Sequence, residues 1–496
     1  MADAMPEPAA PDKPVPSDPA SSRQTATLVL VTVGSLLVAL SQTLLIPVLP
    51  KLAVDLHTSA TGVEWLLTAT LLVGAIAVPV FGRLGDMHGK RLMLLVCLGM
   101  FVAGSLISAL TSNLAVMIVG RAVVGLSIAA IPLGISLVGT VLPAKRAGSA
   151  IALISATLGV GGALGLPIAA LIAEHANYHV LFWICVVGGV LAFAGIAILV
   201  PEPTRGTGGK LDLLGTVLLA FAMVALLLPL AEASAWGWGD IKTYGLLIAA
   251  VILIAGFIAA ERRIASPVVD MAVNARPPLL LTNIASLCVG FALFATLIGT
   301  ASYVQAPRAT GYGFGASLVV SGLCLLPSGI FMLLLSPVSA RISARSGPKF
   351  ALALGAAIVG IGFLVRIFLV GHLWEIVIGT SVAGAGTGIA YASMPSLILR
   401  GAPRSELAAA NGLNSLARSV GSSLSSAIGG TILAAQTITL GGFALPSLAA
   451  YRTLFAICAA AAIVGAVIAL AIPSPEAPAA EMAAGAAEPA AAAARP

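Results

Sequence analysis

Residues Gly82 to Arg91 read GRLGDMHGKR, a charged run set between two long apolar stretches. A second decapeptide, ARISARSGPK, spans Ala340 to Lys349 and aligns with the first without a gap. Arg83 meets Arg341, Leu84 meets Ile342 and Gly89 meets Gly347. Another pair repeats nearby: NLAVMIVGRAVVG from Asn113 parallels HLWEIVIGTSVAG from His372, so Gly120 meets Gly379 and Gly125 meets Gly384. A charged segment recurring at the same place in two apolar halves marks a duplicated membrane bundle. Secondary transporters are built from repeated halves of this kind.

Composition agrees. Of 496 residues, 59% are hydrophobic and 9% charged, and the mean hydropathy is +1.08. A soluble chain carries about a quarter of its residues as charges, so most of the outer surface here must face lipid. With roughly 17–25 apolar residues per span, fourteen spans fit, near 27–49, 64–82, 92–110, 115–138, 148–172, 180–200, 212–232, 243–261, 280–302, 316–340, 350–371, 374–398, 408–433 and 450–472. The expected fold is an all-α integral membrane protein with 14 transmembrane helices. Two pseudo-symmetric six-helix bundles occupy 27–200 and 277–472, joined by 201–276, which carries an inserted helix pair. Residues 1–26 and 473–496, rich in Ala and Pro, read as disordered tails, and the first lacks the basic-then-apolar pattern of a signal peptide.

Fourteen spans place both termini on one side. Of the 25 Lys and Arg, only Lys51, Lys242, Arg308 and Arg452 then fall on the other side, while Arg121, Arg366 and Arg418 lie inside spans. The positive-inside rule therefore makes the termini cytoplasmic, in a multi-pass protein of the cell membrane. The net charge of +6 reflects this orientation rather than nucleic-acid binding. Cys97, Cys185, Cys288, Cys324 and Cys458 are dispersed through spans, which speaks against disulfides and metal. No Asp/His cluster, Ser/His/Asp set or phosphate-binding glycine loop is present. An enzyme is excluded on that ground, and no cofactor is expected. The expected partners are the bilayer, a small-molecule substrate and protons, with the chain acting as a monomer.

The segment Gly82 to Arg91, between spans 2 and 3, resembles the first signature of the major facilitator superfamily. The resemblance implies a conformational latch made by Gly82, Arg83, Gly85, Asp86, Gly89, Lys90 and Arg91. A carboxylate at Asp86 can cap helix N–H groups, and the glycines permit tight turns and close helix approach. Arg121 in span 4 is an expensive charge in lipid, and so a functional candidate by default. Followed four residues later by Gly125, it resembles the family's second signature, with Val124 where Gln is common; the implied role is proton transfer. GVGGALGLPIAA, Gly159 to Ala170, resembles the third, antiporter signature through Gly161, Gly165 and Pro167, and implies export. Its proline is displaced by one, and Ala169 and Ala170 replace paired glycines.

Glu64-Trp65, Tyr303-Val-Gln305 and GLCLLP (Gly322 to Pro327) are similar to segments of the fourteen-span drug:proton antiporters, and this resemblance covers about residues 27 to 472. One departure stands out. That family's first span commonly reads Leu-Asp-x-Thr, whereas this chain reads Leu40-Ser41-Gln42-Thr43. No acid lies near the centre of any span. The proton-coupling candidates are therefore Arg121 with Glu64, Glu174 and Glu375 at outer span ends. Ser41, Gln42, Thr43, Asn283, Tyr391, Met394, Asn414 and Arg418 are the candidates to line a substrate cavity at the midplane. The reading is a proton-driven exporter of small amphipathic molecules, such as drugs or antibiotics, working by alternating access. The alternatives are a lipid-handling or scaffold protein of the same fold, and a carrier of an anionic metabolite.

Overall fold

The computed structural model describes residues 19–202, 208, 211–264, 267–440 and 443–473. Fourteen long helices run through them: α1 (Pro19–Thr43), α2 (Ala60–His88), α3 (Lys90–Leu110), α4 (Leu114–Val141), α5 (Ala144–His175), α6 (His179–Leu199), α7 (Leu213–Trp236), α8 (Ile241–Glu261), α9 (Pro277–Gln305), α10 (Leu318–Arg345), α11 (Pro348–Phe368), α12 (Leu373–Gly401), α13 (Leu407–Ala435) and α14 (Leu448–Leu470). Thirteen are long and apolar enough to cross a membrane. The fourteenth, α13, is of spanning length, but its polar residues Asn411, Asn414, Ser415 and Arg418 are buried among other helices. A helix shielded by its neighbours need not be apolar all round, so hydropathy alone under-reads it.

Helices α1–α6 share one core and α9–α14 another, with α7 and α8 inserted between the halves in sequence. The duplication is visible in how the glycines pack. A Cβ on Gly104 of α3 would lie 2.5 Å from the Gly120 carbonyl of α4. In the second half, Gly379 of α12 faces the Gly362 carbonyl of α11. Lipid supplies no hydrophobic drive between helices, so close backbone contact through small residues supplies the attraction. Buried hydroxyls follow the same economy: Ser108, Thr282, Ser286 and Thr387 each donate to a carbonyl one turn back on their own helix.

Helix α7 packs over the meeting of α2 and α13, burying Leu219, Met223 and Leu227 against Ala75, Val80 and Leu416. Helix α8 leans on α7 and leaves Ile248, Val251 and Ile252 exposed, as a lipid-facing helix should. Two helices are locally irregular. A 3-10 turn at Ser127–Ala129 interrupts α4, and a π turn at Ala295–Gly299 interrupts α9; such π turns concentrate at functional sites.

The structure corrects several boundaries. The segment 82–91 is no polar gap: α2 continues to His88, Gly89 alone turns the chain at φ +111°, and α3 starts at Lys90. Helix α1 begins at Pro19, ahead of residue 27 and inside the stretch expected to be a tail. A hairpin of β1 (Thr437–Leu440) and β2 (Phe443–Pro446), in register Thr437 to Pro446, joins α13 to α14 in the stretch left between the last two spans. Residues 1–18 and 474–496, most of the expected tails, lie outside the described residues.

Candidate functional site

Asp86 sits in the last turn of α2 and is 5% exposed. Its carboxylate accepts hydrogen bonds from the backbone N–H of Ala408, at 3.1 and 3.3 Å, and of Ala409, at 3.1 Å. Those donors are orphan N–H groups at the start of α13, in the opposite half. The capping role read from the sequence is present, but the capped helix is α13 rather than the adjacent α3. Lys90, one turn on, places its ammonium 3.8 Å from the same carboxylate. Gly82 makes the approach possible, since a Cβ there would lie 2.7 Å from the Ala408 carbonyl oxygen. From the other side a Cβ on Gly412 would lie 2.8 Å from the Val78 carbonyl. Gly85 leaves room for the Leu133 side chain of α4.

The remaining basic residues of the segment do other things. Arg91 donates to the Ala197 carbonyl at 2.6 Å, within its own half. Arg83 stands close enough to oppose the charge of Glu406, in the short connection before α13. Burial raises the Glu406 carboxyl above its ordinary value and Asp270 adds to the rise, while Arg83 and Arg276 pull it down.

A second junction is built on α5. Gly161 and Gly165 face α1: a Cβ on Gly161 would meet the Leu40 backbone N at 2.7 Å, and Gly165 adjoins the Thr43 hydroxyl. That hydroxyl donates to the Gly161 carbonyl at 3.2 Å. On its opposite face α5 meets α10 of the other half, where a Cβ on Gly322 would lie 2.7 Å from the Pro167 nitrogen. The loosely matching antiporter-like residues and GLCLLP thus form one three-helix contact. Arg121 of α4 is 3% exposed and donates to the Ser41 carbonyl at 3.3 Å. Its backbone carbonyl accepts from the Thr70 hydroxyl of α2 at 3.1 Å. The embedded guanidinium therefore ties α4 to the end of α1, and its Nε has no hydrogen-bond partner among the described residues.

The second-half cavity candidates converge on α13. Asn414 donates to Asn283 at 3.0 Å and to Ser286 at 2.7 Å, and accepts from Arg418 at 3.0 Å. The Arg418 guanidinium lies 4.8 Å from the centre of the Tyr391 ring and 3.9 Å from the Met394 sulfur. Asn283, Tyr391, Met394, Asn414 and Arg418, scattered over three helices, form one cluster with a cation and no carboxylate. Sequence reasoning missed Ser286; its spacing of three from Asn283 on α9 was the available signal. Ser41 lies at the separate first-half contact with Arg121 and Thr43 at the contact with α5, while Gln42 between them is half-buried.

The glutamates do not join either group. Glu64 and Glu174 are exposed. Glu375 makes a capping box at the start of α12, accepting from the N–H of Gly371 at 2.7 Å and of His372 at 3.1 Å. Among the described residues no ion pair or hydrogen bond links any of the three to Arg121. Arg366, also embedded, is fully buried with its guanidinium 3.9 Å from the Phe455 ring centre.

Two helical halves that meet through a carboxylate-to-helix contact and through glycine-faced crossings make up the fold of a membrane transporter. The chain belongs to the Major Facilitator Superfamily, whose profile matches residues 31–325 and 287–495. It is a multi-pass membrane protein and not an enzyme. It is 31% identical over 430 residues to the tetracenomycin C resistance and export protein of Streptomyces glaucescens, covering 85% of this chain and 78% of that one. To the multidrug resistance protein Stp of Mycobacterium tuberculosis it is 25% identical, over 83% of this chain and 76% of that one. Among solved structures, the human organic anion transporter MFSD10 (TETRAN) superposes with a TM-score of 0.61 at 14% identity. That match spans 90% of this chain and 99% of that one and establishes the shared fold.

Proposed function

We propose that this chain is a proton-driven exporter of small amphipathic molecules, drugs or antibiotics among them, that works by alternating access in the plasma membrane with both termini cytoplasmic. The observation that carries the proposal is the Asp86 grip on the N-terminus of α13. It joins two halves through charge-assisted bonds that can break without unfolding either helix. Gly82, Gly85 and the Gly89 turn serve that grip, with Lys90 balancing its charge. Relatives named for tetracenomycin C export and for multidrug resistance support the outward direction and the substrate class. One charge moving through 100 mV gains about 2.3 kcal/mol, enough to drive a substantial gradient.

A second reading rests on the cluster around Arg418. Its partners Asn414, Met394 and Tyr391 supply no negative charge, so an anionic or zwitterionic solute would find a complementary cation there. With no acid near the middle of α1, an imposed pH gradient acts through groups nearer the helix ends. The test is uptake into inverted membrane vesicles under an imposed pH gradient, with cationic dyes, neutral antibiotics and anionic metabolites in parallel. Gradient-driven uptake of dyes or antibiotics supports the first reading, and selective uptake of anions the second. Flux indifferent to the gradient for every compound removes both.

A further inference from the structure

On the face that holds the Asp86 latch, the second half contains a cavity of about 310 Å³ lined by Arg276, Lys349 and Arg400, beside Gly347, Ile472 and Pro473. It opens where α9 and α11 begin and where α12 and α14 end. No carboxylate lines it among the described residues. The internal repeat says what such a place holds in the other half. There Gly89 turns the chain at φ +111°, and the Glu202 carboxylate, just past the end of α6, accepts from the N–H of Arg91 at 3.2 Å and of Leu92 at 3.1 Å. An anion thus sits on the N-terminus of α3, where the helix dipole favours it.

The turn and the basic residue of that arrangement recur, while no carboxylate takes the place of Glu202 among the described residues. Gly347 turns at φ +91° before α11, as Gly89 does before α3. Lys349 aligns with Arg91, and each donates to a carbonyl at the end of the last helix of its half: Lys349 to Ile472 at 3.2 Å, Arg91 to Ala197 at 2.6 Å. The chain leaves α6 as Val200-Pro201-Glu202-Pro203 and leaves α14 as Ile472-Pro473-Ser474-Pro475, so Ser474 stands in sequence where Glu202 supplies the carboxylate. A Cβ on Gly89 would meet Glu202 at 2.9 Å, whereas one on Gly347 would meet nothing within 4 Å among the described residues. The N-cap residue of α11, Gly347, has no side chain with which to cap it. Two cations not matched in the charged segment of the first half, Arg276 and Arg400, face the same space.

We infer that this cavity binds a phosphate-bearing anion, held by Arg276, Lys349 and Arg400 at the N-terminus of α11, the place that Glu202 takes at α3 in the first half. Two guanidinium forks and a helix N-terminus match phosphate oxygens better than a single charge would. Basic pockets between helices at a membrane surface take lipid headgroups in this way, and a free phosphate presents the same oxygens. The inference is independent of what the transporter carries.

The test uses the purified full-length chain in mild detergent, given equal amounts of phosphatidylglycerol and phosphatidylcholine, with bound lipid read by native mass spectrometry. The wild type should retain phosphatidylglycerol preferentially. Lys349→Gln with Arg400→Gln should lower that retention roughly tenfold. So should Ser474→Glu, which adds a carboxylate at the sequence position that matches Glu202 and leaves all three cations unchanged. Displacement of the lipid by inorganic phosphate assigns the site to the free anion, and resistance to it assigns the site to the headgroup; either supports a phosphate site. Equal retention of the two lipids by wild type, or equal phosphatidylglycerol retention in wild type and both variants, overturns the inference. Binding that emerges only in Glu476→Gln overturns it too, since the chain's own carboxylate would then be the occupant.

Discussion

Replacing Asp86 by Asn should release the two halves from each other without unfolding either. The carboxylate accepts from two backbone N–H groups of α13 and balances Lys90 at 3.8 Å. The amide keeps one acceptor, loses the charge, and turns a donor toward a helix terminus that presents only donors. Hydrogen bonds to a charged group contribute about 1.5–3 kcal/mol, and an anion at a helix N-terminus about 0.3–1 kcal/mol, up to about 2 when partly buried. Asn retains part of the first, so a net loss of about 1–2 kcal/mol follows, which multiplies the released population roughly 5–30-fold. Gly82→Ala attacks the same contact sterically, because its Cβ would lie 2.7 Å from the Ala408 carbonyl oxygen, a backbone atom that cannot rotate away. The assay is the maleimide modification rate of Ala408→Cys, a fully buried position at the contact, in a cysteine-free background. Both variants should speed labelling by the stated factor. Gly256→Ala, which has open space around its Cβ, should leave it unchanged. Labelling at the parental rate in both Asp86→Asn and Gly82→Ala would refute the latch.

Three further outcomes are expected. Gly161→Ala should lower the melting temperature and transport together, because its Cβ would press on the Leu40 backbone at 2.7 Å; thermal unfolding and flux measured on the same preparation check this. Tyr391→Leu should raise KM for any substrate that uses the Arg418 cluster, since the ring 4.8 Å from the guanidinium holds it in place; Tyr391→Phe keeps the ring face and should stay near wild type. Glu375→Gln keeps a side-chain oxygen that can accept from the N–H groups of Gly371 and His372, so it should leave both the melting temperature and the pH dependence of transport close to wild type. A shifted pH profile in that variant would place Glu375 on the coupling path.

How much of this was legible in the sequence depends on what each residue answers to. The helices were readable because lipid imposes length and apolarity on every span, and the two halves because Gly82 to Arg91 has its echo at Ala340 to Lys349. The target of Asp86 was not readable. Its partners are backbone N–H groups more than three hundred residues away, and a backbone donor leaves no mark in side-chain identity. The cluster around Arg418 was half readable: embedded polar residues announce themselves in an apolar chain, but only the fold shows that Asn283, Tyr391, Met394 and Asn414 share one neighbourhood. The local role of Glu375 was open in the sequence, since an acid near a span end can cap the helix as readily as it can carry a proton. The hairpin between α13 and α14 was missed because four-residue strands leave too short an alternation to read.

The most direct measurement is the distance between spin labels at His88→Cys and Ser405→Cys, on the exposed ends that flank the Asp86 contact, in the reconstituted full-length protein. Alternating access predicts a short and a long population. Their ratio should move toward the long one in Asp86→Asn and shift again when substrate or a pH gradient is applied. A single distance, unchanged by the substitution, by substrate and by the gradient, would contradict a transporter whose halves part at this contact.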